Sequence, residues 1–154
     1  MITQKMKYAL KALLALADEA AKGQPEPLTI EEIARRSGTP KRFLEHILLE
    51  VRNAGVIASI RGRSGGYVLI RKPSEVSISE LLRTIDGPIA PLPCLSRRAY
   101  QRCEDCADEA TCRIRKVFAE LFWSYLVMIN SLTLEDMLRS AAVADQVMSS
   151  AQQA

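Results

Sequence analysis

The sequence predicts a mainly α fold with a small β-hairpin wing, a winged helix-turn-helix followed by a long C-terminal dimerisation helix. Three observations carry that expectation. Two amphipathic stretches flank a break at Ser37-Gly38. Two β-prone runs then flank the basic, glycine-rich turn Arg61-Gly62-Arg63-Ser64-Gly65-Gly66. Finally, Ile114, Phe118, Leu121, Tyr125, Met128 and Leu132 are spaced 4, 3, 4, 3 and 4 residues apart, the seam of a heptad repeat.

The first helix is read from Met6, Leu10, Leu13, Leu14, Ala17 and Ala21, and Gly23 with Pro25 and Pro27 ends it. Thr29 with Glu32 three residues on forms a capping box, so Ile30 to Arg36 should be a short second helix. Thr39 is expected to cap a third helix with Pro40 at its first position, where a fixed φ and a missing N–H suit the chain. Leu44, Ile47, Leu48 and Val51 give that helix one apolar stripe, and Gly55 stops it. Helices joined by so short a glycine-containing turn form a helix-turn-helix. The runs Val56 to Ile60 and Tyr67 to Ile70 then read as a hairpin, which completes a winged helix.

Pro73 closes the hairpin, and Ser77 with Glu80 opens a helix that runs through Asp86 to Gly87-Pro88. Residues 88–112 hold all the cysteines and no apolar periodicity, and they read as an irregular loop of a length rarely idle. Val117, Phe122, Leu126 and Ile129 widen the heptad seam beyond what the small winged domain can cover. The expected partner is the same helix of a second copy; a fold back onto the chain's own core is the alternative. Thr133 with Asp136 marks a fresh helix start. The expected division is 1–87 for the winged helix-turn-helix, 88–112 for the cysteine loop, and 113–154 for the dimerisation helix and tail.

Composition narrows the class of function. The chain has 154 residues, 48% hydrophobic and 25% charged, which suits one globular domain with an appendage and excludes disorder and collagen. Its longest charge-free stretch, Leu121 to Leu134, falls short of a membrane span, and Lys11 and Asp18 interrupt the N-terminal apolar run that would make a signal peptide. A cytoplasmic protein with no membrane partner is therefore expected. Net charge is only +3, yet residues 35–72 carry nine Lys/Arg against two Asp/Glu. A basic block that coincides with the second helix-turn-helix element and the wing is the footprint of a surface that meets phosphate, with a solvated charged face as the alternative.

Cys94, Cys103, Cys106 and Cys112 lie within nineteen consecutive positions. In a reducing compartment such crowding points to metal or redox chemistry before structural disulfides. Thiolates bind iron clusters and zinc alike. An all-cysteine zinc site normally uses two close pairs, and only Cys103 and Cys106 make one, so zinc is the second choice. A metal-free thiol switch, with peroxide oxidising Cys103 and Cys106 to a disulfide, is the third. Enzyme chemistry finds no support: there is no nucleophile elbow, no Ser/His/Asp pattern, and no βαβ unit beside Cys103-x-x-Cys106.

The order Met6-Lys7-Tyr8-Ala9-Leu10, Phe43-Leu44-Glu45, Arg61 to Tyr67, Asp86-Gly87-Pro88, clustered cysteines and Thr133-Leu134 resembles the Rrf-two superfamily of bacterial winged-helix regulators. Its members include IscR-like and NsrR-like iron-sulfur sensors. The likeness covers residues 1 to about 140. It implies a homodimer on double-stranded DNA, with the third helix in the major groove and the wing in the minor groove of a palindromic operator. Carried over by position, Thr39, Lys41, Arg42, Glu45 and His46 would face DNA, together with Arg61, Gly62, Arg63, Ser64, Gly65 and Tyr67 of the wing. Thr39 and free N–H groups at the helix start can hold phosphate, and Lys41 and Arg42 phosphate or guanine. Glu45 would accept from a cytosine amine, matching a glutamate that IscR-like members use to choose operators; the alternative is a surface pair with Arg42 or Arg52. His46, the single histidine, is read as a solvent or phosphate contact before a metal ligand. Arg61 matches the wing arginine, drawn to the concentrated potential of a narrow minor groove.

The resemblance favours an iron-sulfur cluster, 2Fe-2S or 4Fe-4S, over zinc, and makes Cys94, Cys106 and Cys112 its matching ligands. The chain departs from the IscR-like pattern in a longer loop with the extra Cys103, and in Arg115, which stands where the 2Fe-2S group has a histidine. Arginine stays protonated and is no ordinary ligand, so Cys103 is expected to complete an all-thiolate set. Tyr8 stands where some nitric-oxide sensors have an aspartate ligand. The expected function is a regulator, repressor in sign, whose operator affinity follows a cluster that senses iron, redox or nitric oxide status.

Overall fold

A computed structural model describes residues 2–140 of the chain. Helix α1 (Gln4–Ala20) begins at Thr3, whose hydroxyl accepts from the Met6 N–H at 3.1 Å. The Thr3 N–H donates in turn to Asp86 Oδ2 at 3.2 Å, which fixes the start of α1 against the end of a later helix. Met6, Ala9, Leu13 and Leu16 lie one turn apart on a single face and are buried, and this stripe is the floor of the core.

Helices α2 (Ile30–Ser37) and α3 (Lys41–Asn53) pack across α1. Thr29 caps α2, accepting from the Glu32 N–H at 3.2 Å, and Gly38 ends it in the left-handed region. The capping box is only half formed, because the Glu32 carboxylate turns to Arg35 and Arg36 instead of back to the cap. Arg36 also reaches Glu19 of α1 at 2.6 Å, so one guanidinium pins the two helices together. Hydrogen bonds from Lys22 and then Arg36 hold the Glu19 carboxyl down at about 2, although burial opposes them. Arg35 and Arg36 do the same for Glu32, also at about 2.

The expected cap of the third helix is corrected. Pro40 occupies the cap position of α3 with no side-chain bond, and Lys41 is the first helical residue. The Thr39 N–H donates to the Ala34 carbonyl at 3.2 Å, which draws residue 39 inward. Its side chain is left 2% exposed, with the hydroxyl unpartnered.

Strands β1 (Ile57–Ile60) and β2 (Gly66–Leu69) pair antiparallel, with Ile57 opposite Leu69 at the base and Ile60 opposite Gly66 at the tip. Leu28 adds a bridge to Tyr67, joined by hydrogen bonds of 2.8 and 3.0 Å. Glycine is required here by close approach: a Cβ on Gly66 would stand 2.5 Å from the Leu28 carbonyl oxygen, and one on Gly65 would stand 2.3 Å from that of Ile60.

After a short 3-10 turn (Pro73–Glu75), helix α4 (Ile78–Ile85) starts at Ser77, which accepts from the Glu80 N–H at 3.4 Å. The loop that follows is irregular apart from the turn Pro93–Leu95. Helix α5 (Arg113–Ser131) then runs back to the winged domain. The Ser77–Thr133 bridge and the Leu134 N–H to Val76 carbonyl bond at 3.0 Å hold its far end. A final helix, α6 (134–140), begins with the reciprocal Thr133–Asp136 box and plugs fully buried Leu134 into the core. The tail expected within 113–154 lies, from residue 141 on, outside the described residues.

Candidate nucleic-acid interface and cysteine site

On α3 the apolar stripe Leu44, Ile47, Leu48 and Val51 faces the core, and the helical period therefore sends Lys41, Arg42, Glu45 and His46 to the opposite, exposed face. The wing tip exposes Arg61, Gly62, Arg63 and Ser64, while Gly65 is half-buried in the turn, its N–H bonded to the Gly62 carbonyl at 3.0 Å. Two of the expected contact residues are positioned otherwise. Thr39 is buried, which removes its side chain from the outer face. Tyr67 is half-buried and packs against the core, with its backbone engaged by Leu28.

The basic block separates into paired and unpaired charges. Arg35 and Arg36 are tied to Glu32 and Glu19, and Arg71 lies 3.5 Å from Glu80. Lys41 pairs with Glu31, which holds the ammonium pKa above the usual lysine range. Arg42, Arg52, Arg61 and Arg63 have no carboxylate within ion-pair distance among the described residues. Arg42 lies over the Phe43 ring at 4.8 Å, and Phe43 is braced by Tyr8 of α1 at 5.6 Å between ring centroids. Glu45 pairs with neither Arg42 nor Arg52, so its carboxylate stands free on the exposed face. Sequence reasoning missed this sorting; the Glu31 and Glu32 neighbours on α2 were its only signal.

The cysteines lie along the loop and at the start of α5. Cys94 is 5% exposed, and Cys103, Cys106 and Cys112 are half-buried. Burial raises the Cys103 thiol pKa, with Cys94 beside it and Cys106 and Asp105 adding to the effect. The Cys106 N–H donates to the Cys103 carbonyl at 3.1 Å, and Arg102 holds the Cys106 and Ala107 carbonyls at 2.9 and 3.1 Å. Cys112 is the N-cap of α5: its sulfur accepts from the Arg115 N–H at 3.4 Å. Among the described residues no three His, Cys, Asp or Glu side chains converge tightly enough to hold a metal ion as they stand. The four free thiols are nevertheless of the donor type that suits a thiophilic group. Arg115, at the position where the resemblance would put histidine, has its Nε buried without a partner and lies 3.9 Å from Glu109.

Helix α5 carries two apolar faces. Leu126 and Ile129 pack against the core of the winged domain, and half-buried Ala119 and Phe122 lie beside the Pro93–Leu95 turn of the loop. Leu121, Val127 and Met128 on the other side are 61%, 70% and 68% exposed, and Ile114, Val117 and Phe118 join them. The seam expected as a single wide face is thus split, with only its inner half folded back.

A helix-turn-helix whose outward helix and glycine-tipped wing bear free guanidiniums is the framework of a winged-helix transcriptional regulator. The pattern that defines Rrf2, described as an iron-dependent transcriptional regulator, matches residues 2–140, and the chain belongs to that family. A rrf2-like HTH-type transcriptional regulator of Rhodobacter capsulatus is 80% identical over 138 residues, which is 90% of this chain and 92% of that one. The solved structure of CymR, the global cysteine regulator of B. subtilis, superposes with a TM-score of 0.70 at 29% identity, covering 89% of this chain and 95% of that one. That of T. potens IscR gives 0.68 at 26% identity, covering 92% and 88%. The fold is therefore the winged helix of these structures, and the chain is a regulator and not an enzyme. Among the described residues no helix is long and apolar enough to cross a membrane.

Proposed function

We propose that the chain is a homodimeric repressor that reads a palindromic operator through α3 and the wing, with its grip set by an iron-sulfur cluster on the cysteine loop. Residues 1–87 serve as the reading head, 88–112 as the sensor, and 113–154 as the dimerisation helix and tail, the helix itself being Arg113–Ser131. The observation that carries the proposal is the Cys112 cap: the last sulfur of the loop is also the first hydrogen-bond acceptor of α5.

Lys41, Arg42 and His46 meet phosphates or guanine, Glu45 selects against bases that offer no amine, and Arg61 and Arg63 reach the minor groove. Gly62, Ser64 and Gly65 keep the wing tip small enough to enter it. The exposed seam of α5 pairs with the same seam of a second copy, which sets the spacing between two reading heads.

Cys94, Cys103, Cys106 and Cys112 would hold the cluster, which when bound supplies a centre sensitive to iron supply, redox state or nitric oxide. Gathering Cys112 toward the other three acts on the first turn of α5 and hence on head spacing. Holo and apo dimers then differ in operator affinity by as much as the cluster distinguishes the two arrangements. The second reading, a cluster-free thiol switch in which peroxide oxidises Cys103 and Cys106 to a disulfide, is favoured by the tight turn that joins them, the Cys106 N–H donating to the Cys103 carbonyl at 3.1 Å. Zinc in the same sulfur set remains the other alternative.

Anaerobic isolation tests the metal: a cluster gives a brown protein with iron and sulfide that bleaches in air, whereas zinc or bare thiols leave it colourless. Operator binding against salt tests the reading head. Arg61→Gln and Arg42→Gln should each weaken binding and lower the salt slope by about one. Unchanged slopes for both would overturn the DNA contacts.

A further inference from the structure

We infer that the chain carries a second ligand site, for a small multivalent anion, in the cavity between the base of the wing, α4 and the cysteine loop. This cavity has a volume of about 440 Å³ and is lined by Val56, Arg71, Leu81, Arg83 and Arg98, together with Glu80. That size lies within the range of small-molecule pockets, and Ser77 and Thr84 add hydroxyls to a lining that is about as polar as it is apolar.

The charge in it is unbalanced. Arg71 donates to the Glu75 carbonyl and lies 3.5 Å from Glu80, the single carboxylate of the lining. Arg83 is held only by neutral groups, Ser79 Oγ at 3.0 Å and Asn130 Oδ1 at 3.2 Å. Arg98 has no carboxylate within ion-pair distance and no hydrogen bond among the described residues. Three guanidiniums therefore share one carboxylate, and two of them, Arg83 and Arg98, have no acidic partner among the described residues. Guanidinium forks suit carboxylate and phosphate groups in bidentate geometry.

The site is separate from the DNA-reading surface. Ile57–Leu69 is the pair at the base of the hairpin and Ile60–Gly66 the pair at its tip, and Val56 and Arg71 lie beyond the base pair. At about 3.3 Å per strand residue, the cavity is on the order of 10 Å from the wing tip. Its three cations come from three parts of the molecule: Arg71 follows the wing, Arg83 belongs to α4, and Arg98 belongs to the cysteine loop. An anion bound by all three bridges the sensor loop to the reading head without touching a cysteine, which gives the regulator an input independent of any cluster.

Calorimetric titration of the full chain at low salt with citrate and, separately, inorganic phosphate tests the site. Saturable binding of either at millimolar concentration or tighter is expected, and the stronger of the two identifies the head group as carboxylate or phosphate. Arg83→Gln and Arg98→Gln should each weaken it by about tenfold or more, the worth of one charge-assisted hydrogen bond. Arg61→Gln, at the wing tip, should leave it unchanged. Absence of saturation with both anions would overturn the inference, as would equal binding by native and Arg98→Gln protein or an equal loss in Arg61→Gln. Loss of operator binding in Arg98→Gln without any anion binding would reassign that residue to the DNA backbone and also overturn it.

Discussion

The winged domain and the region from the cysteine loop through α5 solve opposite problems. In the first, Met6, Leu13, Ile33, Leu44, Ile47 and Leu48 are all essentially inaccessible, α1, α2 and α4 have side-chain caps, and buried Glu19 has its cations. In the second, α5 has one buried residue, Ile129, and leaves Leu121, Val127 and Met128 in water. Exposed apolar area on that scale marks an interaction surface. The first region is complete within one chain; the second leaves an apolar helix face and four free thiols, which the proposed function fills with a second copy and a metal.

The sharpest way to break that comparison is to remove one apolar side chain from each region. Leu44→Ala leaves a cavity at a site with no exposed surface and should cost about 2–5 kcal/mol in urea unfolding. Leu121→Glu should leave the winged core folded but convert the dimer to monomer in sedimentation equilibrium. Its melting temperature should then lose the dependence on protein concentration that an associating native chain shows. A Leu121→Glu protein that stays dimeric would mean that the outer face of α5 is not the contact.

Acid separates the regions by charge. The Glu19 and Glu32 carboxyls titrate at about 2 in the folded chain, below the ordinary 4.5. Depressed values of this kind contribute stability that is fully present above about pH 4.5 and is lost as pH falls toward 2. Helix content of the native protein should therefore fall through that window. Glu19→Gln should be less stable at neutral pH and lose less on acidification. Parallel curves for the two proteins would show that the Lys22–Glu19–Arg36 cluster does not hold α1 to α2.

Within the second region Cys112 joins the loop to α5, and its two roles can be parted. Serine is a good N-cap and a poor iron ligand, so Cys112→Ser should keep the helicity of α5 while losing bound iron after anaerobic isolation. Cys112→Ala should lose the iron and about 1 kcal/mol of helix stability as well. Iron retained by both variants would place the cluster on the other three sulfurs.

How much of this was legible in the sequence follows from the range of the interactions. The Thr29 and Ser77 caps, the hairpin and its glycine turn, and the breaks at Gly38 and Gly87 depend on residues within a few positions of one another, and they stand where the sequence puts them. Features set by distant partners were not legible. The Thr3–Asp86 clamp joins positions at opposite ends of the winged domain. Glu32 is read from the sequence as half of a capping box, yet it pairs with Arg35 and Arg36 while Glu31 pairs with Lys41, which leaves the free positive charge to Arg42, Arg52, Lys72 and the wing. Heptad spacing predicted a broad face on α5 and could not say that half of it would meet the chain's own core.

Thr39 gives the smallest effect and the clearest sign. Its residue type, just before Pro40, fits an exposed cap that holds phosphate, whereas the fold buries its hydroxyl without a partner. Thr39→Val keeps the shape and removes the unsatisfied group, so unfolding stability should be unchanged or rise by up to about 1 kcal/mol. Operator affinity should stay at the native level, because the side chain does not reach the outer face. An exposed phosphate-binding cap would behave in the opposite way, with affinity falling and helix stability lost, and the two outcomes cannot both be observed.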